Sequence, residues 1–349
     1  MAPERTGYGY RGGDGMTDRV VCFGEMLLRL AAPGRGHLFQ ETRLEAHFGG
    51  AEANVAVALA RLGVPSAIVT TLPHGPVGDG ALEAVRGAGV DVRLVRRAEG
   101  RLGLYFLSPP SGSRGAHIVY DRLDSVFATS PSETYDWPEA LTGAAWLHLS
   151  GIIPAIGPSA DRLSRDAIAA ARSAGVKVSF DGNYRGSMWA RWCVDPRPVL
   201  IEHTSGADLL IGNYRDISLL LGEAYDGSTP EARRRACEAA FARFPNLDII
   251  ASTHRTVIDA DTHRLSARVD RRIEWGETDP IMVTGIVDRV GTGDAFAAGV
   301  LASVDQSCAV AAERGLAMSA LKHGTSGDHS RTTATDLAAF TDRPSDIRR

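Results

Sequence analysis

The stretch Asp288–Leu301, DRVGTGDAFAAGVL, sets a glycine-bracketed turn directly before a carboxylate, and the carboxylate before an Ala-rich run of helical character. Gly291, Thr292 and Gly293 can adopt backbone angles that aim successive N–H groups into one concavity, and the positive end of the following helix adds to it. Such a nest holds phosphate, or the charge that develops on a phosphoryl group during transfer. Asp294 then reads in two ways. As a first-turn acid it would stabilise the helix by about 1 kcal/mol. As a general base it would take the proton from a hydroxyl attacking that phosphoryl group, so that nest and acid are needed together.

The elements that must position this turn alternate regularly. RVVCFGE reads as a buried first strand, AEANVAVALARLG as a helix closed by Gly63, AIVTTL as a strand, GDGALEAVRGAG as a helix and VDVRLV as a strand. The rhythm continues through strand AWLHLSG, helix SADRLSRDAIAAARSAG and strand VKVSFDGN. Strand ADLLIGN, helices YRDISLLLG and PEARRRACEAAFARF, strand LDIIAST and a helical end follow. Strands alternating with helices predict an α/β fold, a mostly parallel sheet with helices on both faces. Residues 29–49 and 101–123 break the rhythm and read as hairpins, which together could form a small sheet covering one end of the main one. Ligands of open α/β sheets bind beyond the carboxyl ends of the strands, so such a flap would act as a lid.

Composition narrows the function. The 349 residues are 44% hydrophobic and 23% charged, enough for a large core, and the net charge of −4 without a Lys/Arg run argues against a nucleic-acid surface. No apolar run is long enough to span a bilayer. Residues 1–18 lack the apolar core of a signal peptide and read as a disordered extension, with Met16 an alternative start. Cys22, Cys193, Cys237 and Cys308 are far apart with no CxxC pair, which predicts reduced thiols in a cytoplasmic protein. There is no P-loop motif, and FGGAEANVA lacks the G-x-G-x-x-G of a dinucleotide-binding dehydrogenase.

DRVGTGDAFAAG resembles the C-terminal signature of the ribokinase-like (PfkB) carbohydrate kinases, and FGGAEANVAVALARLG resembles their N-terminal one. The resemblance covers roughly residues 19–340 and implies a three-layer αβα sandwich with a small β-sheet lid, one kinase domain over 19–345. GEMLLRLAAPG, YDR, LHLSGI, DGNYR and SALKHGTSGD are each similar to the 2-keto-3-deoxygluconate kinase branch. That branch implies phosphorylation by ATP, with Mg2+, of the terminal hydroxyl of a keto-deoxy sugar acid.

Carried onto this sequence, the resemblance assigns Asp294 as base, with Gly291, Thr292 and Gly293 as the nest. Arg122 and Arg185 would clamp the sugar carboxylate, since the guanidinium fork fits that group. Both can also be surface arginines. Tyr105 and Tyr120 would close over the sugar or pack the lid to the core. Gly49, Gly50 and Asn54 would approach the sugar hydroxyls, Ile152 would form an apolar wall, and Glu25 is a weaker candidate for sugar hydroxyls. Asn183 could hold either the substrate or the phosphate end of the nucleotide. Asn213 and Asp216 stand for the family's Asn-x-x-Glu with a shorter acid, which puts direct metal organisation in doubt; helix capping is the other reading. ASTHRTVIDADTHRLSARV replaces the usual Lys-x-Gly loop, leaving Thr253 and Arg255 as phosphate contacts, while Lys322 and His323 would line the adenine pocket. A neutral-sugar kinase (fructose, ribose or tagatose type) and a non-catalytic binding homologue remain as alternatives. The first would not need two arginines, and the intact Gly-Thr-Gly-Asp weighs against the second. Exposed lid strands favour a homodimer.

Overall fold

The computed structural model describes residues 19–341. The expected N-terminal extension, Met16 and residues 342–345 of the expected kinase domain lie outside them.

In chain order the strands are β1 (Arg19–Phe23), β2 (Leu27–Ala31), β3 (Glu45–Gly49), β4 (Ser66–Pro73), β5 (Val95–Ala98), β6 (Gly103–Ser108) and β7 (His117–Asp121). They continue with β8 (Ala144–Ser150), β9 (Lys177–Asp181), β10 (Leu209–Ile211), β11 (Ile249–Val257), β12 (Thr262–Arg271), β13 (Trp275–Glu277) and β14 (Ile281–Thr284). The large sheet runs β13-β12-β11-β10-β9-β8-β1-β4-β5, with β14 also on β12. From β11 to β5 every pairing is parallel, and β12 turns the edge antiparallel. β1 shows why its sequence is apolar at almost every position. Val21 and Phe23 enter one core cluster, with Leu147, Leu149 and the helix Pro158–Ser173, while Val20 and Cys22 enter the other, with the helices Ala51–Arg61 and Cys308–His323. A sheet covered on both faces needs apolar residues on both sides of the pleat.

The two interruptions are hairpins, as read from the sequence, and they pair into a separate four-stranded sheet, β3-β2-β6-β7. Register aligns His47, Arg29, Tyr105 and Tyr120 in one row across it. This row, with Leu27, Ala31, Leu107, Ile118 and Arg122, forms the face turned toward the cleft. At the mouth Arg35, in the loop after β2, pairs with Asp261 at the tip of the β11–β12 hairpin.

That hairpin is the main departure from the expected elements. THRLSARVDR forms a ten-residue strand rather than part of a nucleotide loop, because its charged side chains find buried partners. Arg268 is held by Asp270 and Glu277, and lies over the Trp275 ring. VDVRLV, too, is strand only from Val95 onward. The four cysteines are free thiols, and among the described residues no helix is long and apolar enough to cross a membrane.

The helix carrying Asp294 (Thr292–Leu301) is seated by a glycine contact. A methyl on Gly299 would stand 2.8 Å from the Arg314 carbonyl and 2.9 Å from the Gly315 Cα on helix Cys308–His323. Gly299→Ala should therefore push the helices apart. The loss of packing should exceed the roughly 1 kcal/mol that alanine gains in a helix, for a net cost of about 1–3 kcal/mol. The urea midpoint should fall at unchanged slope; a higher midpoint would show that the crossing is not tight.

Candidate active site

The carboxyl ends of β1, β8, β9, β10 and β11 open into one cleft of about 1140 Å³ between the large sheet and the small one. Its floor is the start of the helix Thr292–Leu301. Gly291 caps that helix with φ +81°, and a Cβ there would lie 2.0 Å from the Asp328 carbonyl oxygen, so both conformation and space require glycine. The first intrahelical donor is Ala295, bonded to Gly291 O at 2.9 Å. The N–H groups of Gly291, Gly293 and Asp294 make no hydrogen bond among the described residues, and no side chain caps this end. They are unfilled donors at the positive end of a helix, the geometry that an anion site requires. The Thr292 hydroxyl is not one of them, since it donates back to the Arg289 carbonyl at 2.9 Å.

Asp294 meets Asn54 across this floor, with Asn54 Nδ2 donating to Oδ2 at 2.6 Å. Asn54 sits in the first turn of the helix Ala51–Arg61, which begins at Gly50. Gly50 has φ +142°, and a Cβ would lie 2.2 Å from the Glu25 carbonyl oxygen. The two helices that the sequence placed at opposite ends of the chain thus meet head to head. Burial lifts the Asp294 pKa to about 6; Asp328 raises it further, while the Asn54 amide, Arg185 and Lys322 act against the rise.

Two more acids face it from the strand ends. Asp181, at the end of β9, is lifted to about 7 by burial and by Asp294 and Asp216. Asp216, raised chiefly by burial, forms a capping box: its Oδ2 accepts from Asn213 N at 2.8 Å, and Asn213 Oδ1 accepts from Arg215 N at 2.8 Å. Asn183 N donates to Asp181 Oδ1 at 3.0 Å from a left-handed backbone, φ 37°. Arg185, exposed and without an ion pair among the described residues, is the cation that all three carboxylates feel.

Arg122 is in a different state. It is buried, its Nε donates to Glu25 Oε2 at 2.7 Å and its Nη2 pairs with the same oxygen, while Ser125 donates to Glu25 Oε1. Glu25 is thus a structural partner of Arg122, and only Arg122 Nη1 is left without a protein acceptor. Tyr120 lies under the Arg122 guanidinium and tilts against Tyr105. Ile152 lines the cleft at the start of the short helix Ile152–Ile156. Gly49 does not reach it: a Cβ there would meet the Asp328 carboxylate at 2.3 Å. Thr253, Arg255 and His323 line the other end of the cleft. Lys322 does not line it; fully buried behind Gly291, it donates from Nζ to the Thr325 carbonyl at 3.0 Å.

Sequence reasoning missed the network beneath these residues. Arg29, 1% exposed on β2, pairs with Asp288 Oδ2 at 2.7 Å and with Asp328 Oδ1 at 3.1 Å. Asp288 Oδ1 accepts from Val290 N at 2.9 Å and its Oδ2 from Gly327 N at 3.1 Å; Tyr105 donates to Asp328 Oδ2. A lone arginine in the alternating run LLRLA was the available signal for Arg29. Asp181 and Asp328 stood inside the motifs DGNYR and SALKHGTSGD without being singled out.

A family model described as pfkB family carbohydrate kinase matches residues 17–250. The chain is 29% identical to a 2-dehydro-3-deoxygalactonokinase of Haloferax volcanii, over 92% of this chain and 96% of that one. It is 27% identical to a 2-dehydro-3-deoxygluconokinase of Bacillus subtilis, over 92% and 94%. The crystal structure of a 2-dehydro-3-deoxygluconokinase from Thermotoga maritima superposes with a TM-score of 0.87 at 34% identity, over 92% of this chain and 98% of that one.

The raised Asp294 pKa has a consequence for stability. The folded value, about 6, exceeds the unfolded value of about 4, so the folded state binds the proton more tightly. The stability it contributes is complete below pH 4 and is lost as pH rises through 6. Asp294→Asn removes that loss, and should be more stable than wild type at pH 8 by about 1–3 kcal/mol, with the advantage gone at pH 4. Urea melts at the two pH values test this, and a variant less stable at pH 8 would contradict it.

Proposed function

The chain belongs to the pfkB family of carbohydrate kinases, and from that premise we propose that it transfers the γ-phosphoryl group of ATP to the terminal hydroxyl of a keto-deoxy sugar acid, 2-keto-3-deoxygluconate, with Asp294 as base. The observation that carries this reading is the meeting of three free N–H groups, at Gly291, Gly293 and Asp294, with a carboxylate oriented by Asn54. The names of the similar proteins in Haloferax volcanii, Bacillus subtilis and Thermotoga maritima support the substrate class.

In this mechanism the nest receives the transferring phosphoryl group, whose charge the N–H groups meet without reorganisation. The sugar acid lies under the row Arg29, Tyr105, Tyr120, with Gly50 and Asn54 at its hydroxyls and Ile152 as a wall. Its carboxylate is met by the free guanidinium of Arg185 and by Nη1 of Arg122. The hydroxyl oxygen forms a bond to phosphorus, the bond from phosphorus to the β–γ bridging oxygen breaks, and the hydroxyl proton passes to Asp294 Oδ. A pKa of about 6 leaves Asp294 mostly ionised at neutral pH yet basic enough to accept it. The small sheet excludes water from this step.

Magnesium, when bound, neutralises charge between the phosphates. Among the described residues no group of three or more acids, histidines or cysteines is placed for direct ligation. The fit is through water, to the carboxylate oxygens of Asp181 and Asp216 that the backbone N–H groups of Asn183 and Asn213 leave free. A homodimer joined through the small sheet belongs to the same proposal, because its edge strand β7 exposes Ile118 and Val119. The free cysteines are in keeping with a cytoplasmic setting.

ADP release with Mg-ATP should be measured on 2-keto-3-deoxygluconate, its galactonate epimer, fructose, ribose and tagatose. Turnover is expected on the keto-deoxy acids alone, and Asp294→Asn should lower kcat by about 10²–10⁴. Turnover of a neutral sugar would discard the carboxylate assignment, and normal turnover by the variant would discard the base. Arg185→Ala should raise KM for the acid about tenfold or more, the loss of a charge-assisted pair. An unchanged KM would remove Arg185 from the substrate.

A further inference from the structure

Two arginines that line the cleft have no anion beside them among the described residues. Arg289 lies two residues before the nest glycine Gly291, and Arg255 lies on β11, opposite Leu265 of β12. Both line the cleft. Among the described residues neither guanidinium makes a hydrogen bond or an ion pair, in contrast to those of Arg29, Arg122 and Arg268, which also line the cleft. Their charges bear on each other: desolvation first, and then the charge of Arg289, draws the Arg255 pKa below its ordinary value.

Their placement is built. The N–H and hydroxyl of Thr292 both donate to the Arg289 carbonyl, at 3.4 and 2.9 Å. The N–H groups of Val287 and Asp288 donate to the His323 carbonyl at 2.8 and 3.3 Å. Beneath the arginines the rings of His263 and His323 meet edge to face at 5.7 Å. Burial and the two arginines keep both histidines below the usual imidazole pKa, His263 at about 4, so neither ring adds a further positive charge. His323 is 2% exposed and lines the cleft. Its Nδ1 donates to the Ser319 carbonyl at 2.7 Å, so Nε2 of the neutral ring is an acceptor, and it has no partner among the described residues.

Two unpaired guanidiniums lining the cleft beside an empty ring of N–H donors are arranged for a ligand that carries several negative charges in a row. We propose that Arg255 and Arg289 clamp the diphosphate of the nucleotide, the group that leaves when the phosphoryl is transferred. This rests on the kinase reading above and deepens it. When the phosphorus–oxygen bond breaks, the electron pair stays on the bridging oxygen of the departing ADP, and the two guanidiniums face that charge. The clamp takes the place of the glycine-rich phosphate loop that the sequence lacks, and Arg289 does so from within the nest loop itself.

The test measures Mg-ADP binding by calorimetry to the full chain and to Arg255→Ala, Arg289→Ala and Arg289→Lys, with steady-state kinetics and melting temperature alongside. Each alanine variant should weaken ADP about tenfold or more, raise KM for ATP and lower kcat, leaving KM for the sugar acid unchanged. Arg289→Lys should recover part of the loss. Without nucleotide the alanine variants should melt no lower than wild type, because one of two repelling charges is gone. Unchanged ADP affinity in both alanine variants overturns the clamp while the kinase reading stands. A rise in KM for the sugar acid with ADP binding intact also overturns it, by assigning the pair to the substrate carboxylate. Wild type that binds no ADP removes the clamp and the kinase reading together. ADP affinity lost in the variants of a chain that phosphorylates no sugar sustains the clamp and removes the kinase reading.

Discussion

The buried guanidinium of Arg29 joins the two sheets. It stands in the middle of the small sheet's cleft-facing row, yet its partners are Asp288, which opens the nest loop, and Asp328, which follows the helix Cys308–His323. A charge this deeply buried is tolerated only with its partners in place. The small sheet therefore cannot shift without disturbing the carboxylates that hold the nest. Asp288 fixes Val290 and Gly327, and Asp328 packs on Gly49 and takes the Tyr105 hydroxyl. Lid position and nest shape are one variable.

The same crowding sets the electrostatics. Asp181, Asp216, Asp294 and Asp328 converge on the cleft floor, all with raised pKa values. Four cations oppose them: Arg29, Arg185, Arg215 and the buried Lys322. A carboxylate beside an anion nest is not a contradiction in this setting. Burial and like charge make Asp294 reluctant to ionise, and that reluctance gives it the affinity for a proton that a base requires.

Much of this was legible in the sequence. The alternation of apolar strands with helices gave the layers, and the two interruptions gave the small sheet, because both signals are local. Gly291 through Asp294 suggested an anion site, with a first-turn helix acid as the competing reading. What stayed hidden depended on partners distant in the chain. Arg122 reads as a wholly available arginine until Glu25 is found paired with its Nε and Nη2. Lys322, in a helical run, gives no sign that its ammonium lies behind Gly291 rather than along the cleft. β12 looks too charged for a buried strand until Arg268 meets Asp270, Glu277 and Trp275. Periodicity reports which face a residue occupies, not which charge will answer it.

The position of Asp328 carries a temporal consequence. Its carbonyl lies against Gly291, its carboxylate against Gly49, and Arg29 and Tyr105 bind it from β2 and β6. During synthesis the strands of the large sheet and the helix bearing Asp294 all emerge earlier, and N-terminal parts fold first. A nascent chain that has reached the helix Cys308–His323 already contains every group of the nest, yet Arg29 is still a buried cation without one of its two acids. Assembly of the cleft floor is thus held back until Asp328 arrives, and a message cut short before that codon would yield a nearly complete layered fold with an unsupported loop at Gly291.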